Sequence, residues 1–404
     1  MKYVVILGDG MADHPVPQLG DKTPLQCANK PNIDFLAKHG EVGMVKTIPD
    51  GIPPGSDAAN LSVMGYDPKL YYTGRSPLEA ISMGVELSET DVAFRCNLVT
   101  LSDEEIYADK TMIDYSSDEI SSDEAKELIE AVNRHFKTDD IIFHPGISYR
   151  HCMVWKNGPT GLKLVPPHDI LERKITQHLP SSETTKILLD MMAKSSEFLK
   201  THPVNKARIA KGLRPATSIW LWGEGKKPAI PKFHDKYKVN GSVISAVDLI
   251  KGIGICAGLK SIDVEGATGN VHTNFRGKAE AALKELESGQ DFVYVHVEAP
   301  DECGHRYEIE NKVKSIEFLD SQVVAPVIEG LKKYDDYRIL VLPDHPTPLA
   351  LRTHTSEPVP FILYQKSKEL NSGVNGYDEF QAAVTGLKIP AGHTLMDILM
   401  KAEE

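Results

Sequence analysis

The sequence predicts an α/β protein, a doubly wound core sheet interrupted by an inserted α+β domain. Two observations carry this expectation. Short continuous apolar runs recur with helical segments between them, at residues 3–7, 291–297 and 337–342, as strands buried on both faces of a sheet do. From about residue 90 to 215 the texture changes to strands in which apolar and polar residues alternate, the pattern of a sheet with one solvated face. The expected domains are a core of residues 1–89 and 216–404 and an insert of residues 90–215. At 404 residues, with 41% apolar and 25% charged side chains, the chain can bury a sizeable core.

In chain order, YVVIL at 3–7 reads as the first buried strand, ending in Gly8-Asp9-Gly10. Residues 32–39 place Ile33, Leu36 and Ala37 at helical spacing, and 42–48 read as a strand. The turn PPGSD at 53–57 opens a helix that runs to Met64 and closes at Gly65. In the insert, strands are expected at 93–101, 106–112 and as a pair within 141–155, with helices at 122–135 and 182–199. The buried-strand texture then returns. Residues 218–222 and 243–244 are expected to rejoin the core sheet, a helix follows at 247–257, and another spans about 311–331 between the last two long strands.

Composition excludes several functions. A formal net charge of −12 argues against a general nucleic-acid binder. No apolar run approaches the roughly 20 residues that a bilayer requires, and residues 1–9 carry no secretory pattern. Five scattered cysteines without a Cys-x-x-Cys pair read as reduced thiols, hence a cytoplasmic location.

Three predicted strands run into acids: Asp9 after the first, Asp301 after 291–297, and Asp344 after 337–342. Ligands of open α/β sheets bind beyond the carboxyl ends of the strands, so these acids are expected on one rim. Imidazoles accompany them. His305 follows Asp301 by four residues, one helical turn; His345 follows Asp344 directly; His354 lies ten residues beyond. Three carboxylates with three imidazoles suffice for two divalent metal ions. Singly, each feature has an ordinary alternative: a turn at Gly8-Asp9-Gly10, a solvated pair at Asp301 and His305. Ser56 has two readings as well. A serine at a helix start commonly caps it, yet that position also suits a phosphoryl carrier, because free N–H groups and the helix dipole favour added negative charge.

The segments GDGMAD (8–13), PGSDAANLS (54–62), YTGRSPLEA (72–80), PDECGH (300–305) and PDH (343–345) occur in that order. Together they resemble the archaeal-type cofactor-independent phosphoglycerate mutases, a branch of the alkaline phosphatase superfamily. The likeness extends to AGH at 391–393 and so spans essentially the whole chain. The resemblance implies an alkaline-phosphatase-like core with a substrate cap at 90–215. It also implies two divalent ions, Mn²⁺ first with Zn²⁺, Co²⁺ or Mg²⁺ as alternatives, and no bisphosphoglycerate. Ser56 matches the serine that becomes phosphorylated. Asp9, Ser56, Asp344 and His345 match the ligands of one ion, and Asp301, His305 and His354 those of the other. The bacterial branch places an Arg-Asp pair in its cap; this chain has Tyr149-Arg150-His151 there. Arg150 and His151 are therefore the cap candidates for a small phosphorylated carboxylic acid, with Arg276 and Lys251 as further anion contacts.

The implied reaction interconverts 3-phosphoglycerate and 2-phosphoglycerate by two displacements through a phosphoserine. Two alternatives share the chassis. A phosphomonoesterase would admit water, and a related phosphotransferase, such as a homoserine kinase, would use another alcohol. A non-catalytic binding module is disfavoured, since it has no use for Ser56.

Overall fold

The computed structural model describes residues 1–401. The chain divides into two compact units, one built from residues 1–72 together with residue 229 onward, the other from residues 73–228.

The first unit is organised by an eight-stranded sheet. Its spatial order is Lys388–Ile389, Glu41–Val45, Val359–Gln365, Tyr337–Leu342, Lys2–Gly8, Phe292–Val297, Gly241–Ile244 and Lys260–Ile262. Only Val359–Gln365 runs antiparallel to its neighbours. The N-terminal strand lies between Tyr337–Leu342 and Phe292–Val297, in parallel register with both: Leu7 pairs with Leu342 and Gly8 with Val297. That register places Asp9, Asp301 and Asp344 beyond one rim. Val4, Ile6, Val293, Val295, Ile339 and Val341 point into the main apolar core, where helices cover the sheet.

The helices arise as their residue spacing suggests. Pro31–His39 buries Ile33, Leu36 and Ala37, with Pro31 at the first turn, where no N–H is needed. The long helical passage before Tyr337 is interrupted. Ile309–Phe318 continues into a π-helical turn, Leu319–Val324, and then into Ala325–Leu331. Pro326 lacks the N–H an α-helical bond would require, and its ring clashes with a carbonyl one turn back; the wider turn precedes it. From this turn Asp320 reaches the N-terminus of Pro31–His39, accepting from the Ile33 N–H at 2.6 Å and the Asn32 amide at 2.7 Å.

The second unit has its own five-stranded sheet. Val92–Leu101 pairs antiparallel with Arg150–Trp155 on one side and with Ser218–Lys226 on the other. This corrects the expectation that 218–222 rejoins the core sheet. A continuous apolar run shows that both faces are covered, not which sheet it joins. Here Trp220 and Leu221 are covered within the second core, and the Trp220 indole donates to Val165 O at 2.8 Å. The unit also extends beyond 90–215. On its N-terminal side, the Thr73 hydroxyl donates to Lys226 O at 2.6 Å and the Ser76 hydroxyl to Gly223 O, stitching Ser76–Ser82 to the added strand. The strand expected at 106–112 is mostly turn: a 3-10 segment spans Tyr107–Asp109, and strand structure is limited to Met112–Asp114. Lys110 holds that turn, its ammonium donating to Ser102 O at 2.8 Å.

Candidate active site

The three acids reach the rim from three adjacent strands. Asp9 follows Lys2–Gly8 directly. Asp301 and His305 sit one turn apart on Ala299–His305, just past Phe292–Val297, and Asp344 and His345 follow Tyr337–Leu342. Gly10 allows the convergence. Its φ is +61°, and a β-carbon there would lie 2.6 Å from Asp301 Oδ1. Ser56 is the first residue of Ser56–Val63, with Gly55 in the capping position and no side-chain cap bond. Its hydroxyl is turned instead to His345 Nε2, 3.1 Å away.

The seven expected residues interlock. His345 Nε2 lies 3.5 Å from Asp9 Oδ1 and 3.4 Å from Asp344 Oδ2. His305 Nε2 is 3.2 Å from Asp301 Oδ2, His354 Nε2 is 3.4 Å from Asp301 Oδ1, and the two imidazole nitrogens are 2.9 Å apart. Asp9, Asp344 and His345 are buried, whereas Ser56, His305 and His354 are half-buried and leave the cluster approachable.

Side chains that the motifs did not announce fix this geometry. Thr347 donates its hydroxyl to Asp301 Oδ1 and is 3.2 Å from His345 Nδ1, so it accepts from that nitrogen and leaves Nε2 facing Ser56. His305 Nδ1 donates to Arg352 O at 2.9 Å, which leaves its Nε2 as the atom able to exchange a proton for a metal ion. The Asn60 amide donates to Ser56 O and to Asp344 Oδ2, both at 2.8 Å, and the Tyr294 hydroxyl donates to Asn60 Oδ1 at 2.7 Å. His296 Nε2 lies 3.0 Å from Asp9 Oδ2. Asn60 was traceable, one turn after Ser56 on the same helix face. His296 was hidden inside a strand that reads as pure packing.

The electrostatics call for a cation. Burial, then the charges of Asp344 and Asp301, push the Asp9 carboxyl well above the usual range. Burial also raises Asp301, but hydrogen bonds from His305 and His354 outweigh it and hold that carboxyl well below the usual range. Asp301 in turn draws the His305 imidazole up to about 9. Protons are thus favoured on Asp9 and His305, whereas burial pushes the His345 and His296 imidazoles below the usual range. Three sets of donors have their ligand atoms within 4.8 Å of one another: Asp301, His305 and His354; Asp9, His296 and Asp344; Asp9, Asp301 and His345. Asp9 Oδ1 is buried without a hydrogen-bond partner. An orphaned carboxylate oxygen among imidazole nitrogens fits a divalent ion of the Mn²⁺ or Zn²⁺ type.

The expected substrate contacts of the first unit bond outside this cluster. Arg276 is exposed and donates to Glu280 Oε1 at 3.0 Å, and the Lys251 ammonium lies 2.6 Å from Asp263 Oδ1. Arg150 and His151 belong to the second unit. Arg150 lies over the Tyr149 ring; His151 is buried, accepting from the Gly146 N–H at 3.0 Å.

A parallel-rich α/β sheet whose central strand ends gather acids and imidazoles around a helix-borne serine defines a class of α/β proteins with a carboxylate–imidazole cluster at the sheet rim. The particular family follows from comparison with known proteins. The family model "2,3-bisphosphoglycerate-independent phosphoglycerate mutase" matches residues 37–205. A probable 2,3-bisphosphoglycerate-independent phosphoglycerate mutase of Geobacter sulfurreducens is 53% identical over 99% of this chain and 100% of its own length. One from Methanosarcina barkeri is 48% identical over 100% of both. Among solved structures, the cofactor-independent phosphoglycerate mutase of Thermoplasma acidophilum is similar with a TM-score of 0.68 and 28% identity, covering 99% of each chain. A Pyrococcus horikoshii protein is similar with a TM-score of 0.83 and 29% identity, covering 100% of this chain and 98% of that one. The chain belongs to the 2,3-bisphosphoglycerate-independent phosphoglycerate mutase family.

Proposed function

We propose that this chain interconverts 3-phosphoglycerate and 2-phosphoglycerate, in glycolysis and gluconeogenesis, through a phosphoserine on Ser56. The observation that carries the reading is the Ser56 hydroxyl, freed from capping and held 3.1 Å from His345 Nε2 at the edge of the acid–imidazole cluster. Asp9, Ser56, Asp344 and His345 would hold one divalent ion, and Asp301, His305 and His354 the other, with Mn²⁺ our assignment. Such ions supply charge stabilisation to phosphoryl oxygens and favour ionisation of a bound hydroxyl.

The chain's own groups do the rest. Thr347 orients His345, which directs the Ser56 oxygen. The Ser56 oxygen then displaces the substrate's oxygen at phosphorus, one P–O bond forming as the other breaks and the serine's proton ending on the released glycerate hydroxyl, and the N-terminus of Ser56–Val63 stabilises the resulting phosphoserine dianion. Glycerate turns, and its other hydroxyl takes the phosphoryl group back. Two displacements at one serine need no bisphosphoglycerate, provided water is kept out between them. We assign water exclusion and substrate recognition to the second unit acting as a cap. Arg150 and His151 there, with Lys251 and Arg276, are the candidate contacts for phosphate and carboxylate. Among the described residues no helix is long and apolar enough to cross a membrane. The five cysteines are all free, and on that ground we assign the protein to the cytoplasm.

Purified protein supplied with Mn²⁺ and 3-phosphoglycerate is expected to yield 2-phosphoglycerate with little free phosphate in an enolase-coupled assay. Dominant phosphate release would instead make it a phosphomonoesterase, and ATP-dependent phosphorylation of homoserine without mutase turnover a kinase. Ser56→Ala is expected to abolish turnover while metal content and fold are retained. Activity in that variant would end the phosphoserine route.

A further inference from the structure

Asp9 takes part in two of the three donor sets, and its two oxygens stand in different surroundings. Oδ1 is the buried atom without a hydrogen-bond partner, whereas Oδ2 lies 3.0 Å from His296 Nε2. His296 is fully buried on Phe292–Val297. Proximity alone leaves it two roles, a metal ligand beside Asp9 and Asp344 or a group that aims Asp9.

The hydrogen bonds on the two sides of the ring, taken together, decide between them. His296 Nδ1 is 3.2 Å from Ser245 Oγ, and Ser245 Oγ accepts from the Val247 N–H at 3.0 Å. That oxygen keeps its own hydrogen to donate to His296 Nδ1, and on the other side of the ring an ionised Asp9 carboxylate can only accept. Nδ1 therefore accepts, and the ring hydrogen resides on Nε2, pointing at Asp9 Oδ2. The opposite tautomer would set an imidazole lone pair against a carboxylate lone pair at 3.0 Å in a buried place. With its Nε2 hydrogen given to Asp9 Oδ2, the ring presents no lone pair to the cation on that side. The His296 backbone is pinned as well, its carbonyl accepting from the buried Lys278 ammonium at 2.9 Å.

We propose that His296 is a positioning residue. The relay from Val247 N–H through Ser245 and His296 anchors Asp9 Oδ2 and reserves Oδ1 for the cation. The inference rests on the reading of this rim as a metal site. It predicts that Asp9 ligates through one oxygen only and that removing the relay weakens the metal without changing the number of nitrogen ligands.

The test is Mn²⁺ binding to the full-length protein, with dissociation constants from the electron paramagnetic resonance of free Mn²⁺ and ligand nitrogens from spin-echo modulation of the bound ion. His296→Leu is expected to weaken one of the two sites by about 10–100-fold. His296→Gln, whose amide nitrogen can donate from near the Nε2 position, is expected to stay within about threefold of the wild type, and Ser245→Ala to fall between the two. Nitrogen modulation should be the same in wild type, His296→Gln and Ser245→Ala. Wild-type affinity in His296→Leu, or loss of one nitrogen coupling in His296→Gln, overturns the proposal. If His296→Leu does not fold, Ser245→Ala decides, and an unchanged dissociation constant there refutes the relay. A wild-type protein that binds no Mn²⁺ removes the metal-site reading itself and this inference with it.

Discussion

Gly10 shows how tightly single residues constrain the rim. Its backbone is left-handed, and a β-carbon at this position would come within 2.8 Å of Asp301 Cα. That leaves no room for a side chain, because the neighbour is backbone and cannot swing away. Gly10→Ala is expected to cost about 1–3 kcal/mol in urea denaturation and to lower Mn²⁺ affinity by displacing Asp301. Asn60 is constrained differently: three hydrogen bonds converge on one buried amide. Asn60→Ala leaves the Tyr294 hydroxyl and an Asp344 oxygen without their partner, a loss of roughly 1–3 kcal/mol. Because Asn60 aligns Ser56 with Asp344, steady-state kinetics should show kcat falling by more than about tenfold with KM little changed. A fall in stability without that split would make Asn60 merely structural. At this scale the sequence was informative wherever chemistry followed local spacing, as with Asp301 and His305 on one helical turn. It was silent where a contact depended on tertiary register. Thr347 touches Asp301 across a separation of 46 residues, and His296 sits in a strand whose apolar neighbours signal only burial.

Among the elements, Ile309–Phe318 does more than cover the sheet. It sends Lys312, fully buried, to Asp13 Oδ2 at 2.7 Å and to Thr347 O at 2.8 Å. Asp13 also accepts from the Leu349 N–H at 3.1 Å through Oδ2. One ammonium thus ties the segment after Asp9 to the segment after His345. Lys312→Met keeps the length of the side chain but strands a buried carboxylate, and urea denaturation should register a loss of about 3–5 kcal/mol. The double variant Lys312→Met with Asp13→Asn should recover part of it, since the uncompensated charge is gone. Element identity was largely legible. Phe292–Val297 and Tyr337–Leu342 follow from continuous apolar runs, and Ser122–Phe136 from its amphipathic spacing. The assignment of 218–222 to a sheet was not legible, because strand pairing is decided by partners far along the chain. The π-helical turn at Leu319–Val324 was equally hidden, being a local response to Pro326.

For the molecule as a whole, acid should act on individual buried groups in opposite directions. In the second unit, burial holds the His151 imidazole down at about 3 against an ordinary 6.5. The unfolded chain then binds a proton that the folded chain refuses. The stability carried by the neutral ring is complete above pH 6.5 and declines as pH falls toward 3, by roughly 1.4 kcal/mol per unit. In the first unit, burial pushes Glu379 up to about 7 against 4.5. The folded chain there binds the extra proton, so this group's contribution rises as pH falls from 7 to 4.5, opposed in the same unit by the His296 and His345 imidazoles, which burial pushes down. Hydrogen exchange at pH 7 and pH 5, corrected for intrinsic rates, should show protection falling in peptides from 141–155 relative to those around Glu379. His151→Phe should abolish the fall in 141–155 and leave the behaviour around Glu379 unchanged. The division of the chain has a further consequence during synthesis. The second unit is one uninterrupted stretch and can fold as soon as it clears the ribosome. The strand Lys2–Gly8, central to the other sheet, waits for neighbours that are translated almost 300 residues later, a delay on the order of tens of seconds. Through that interval the nascent apolar strand Lys2–Gly8 has no native partner and is exposed to mispairing.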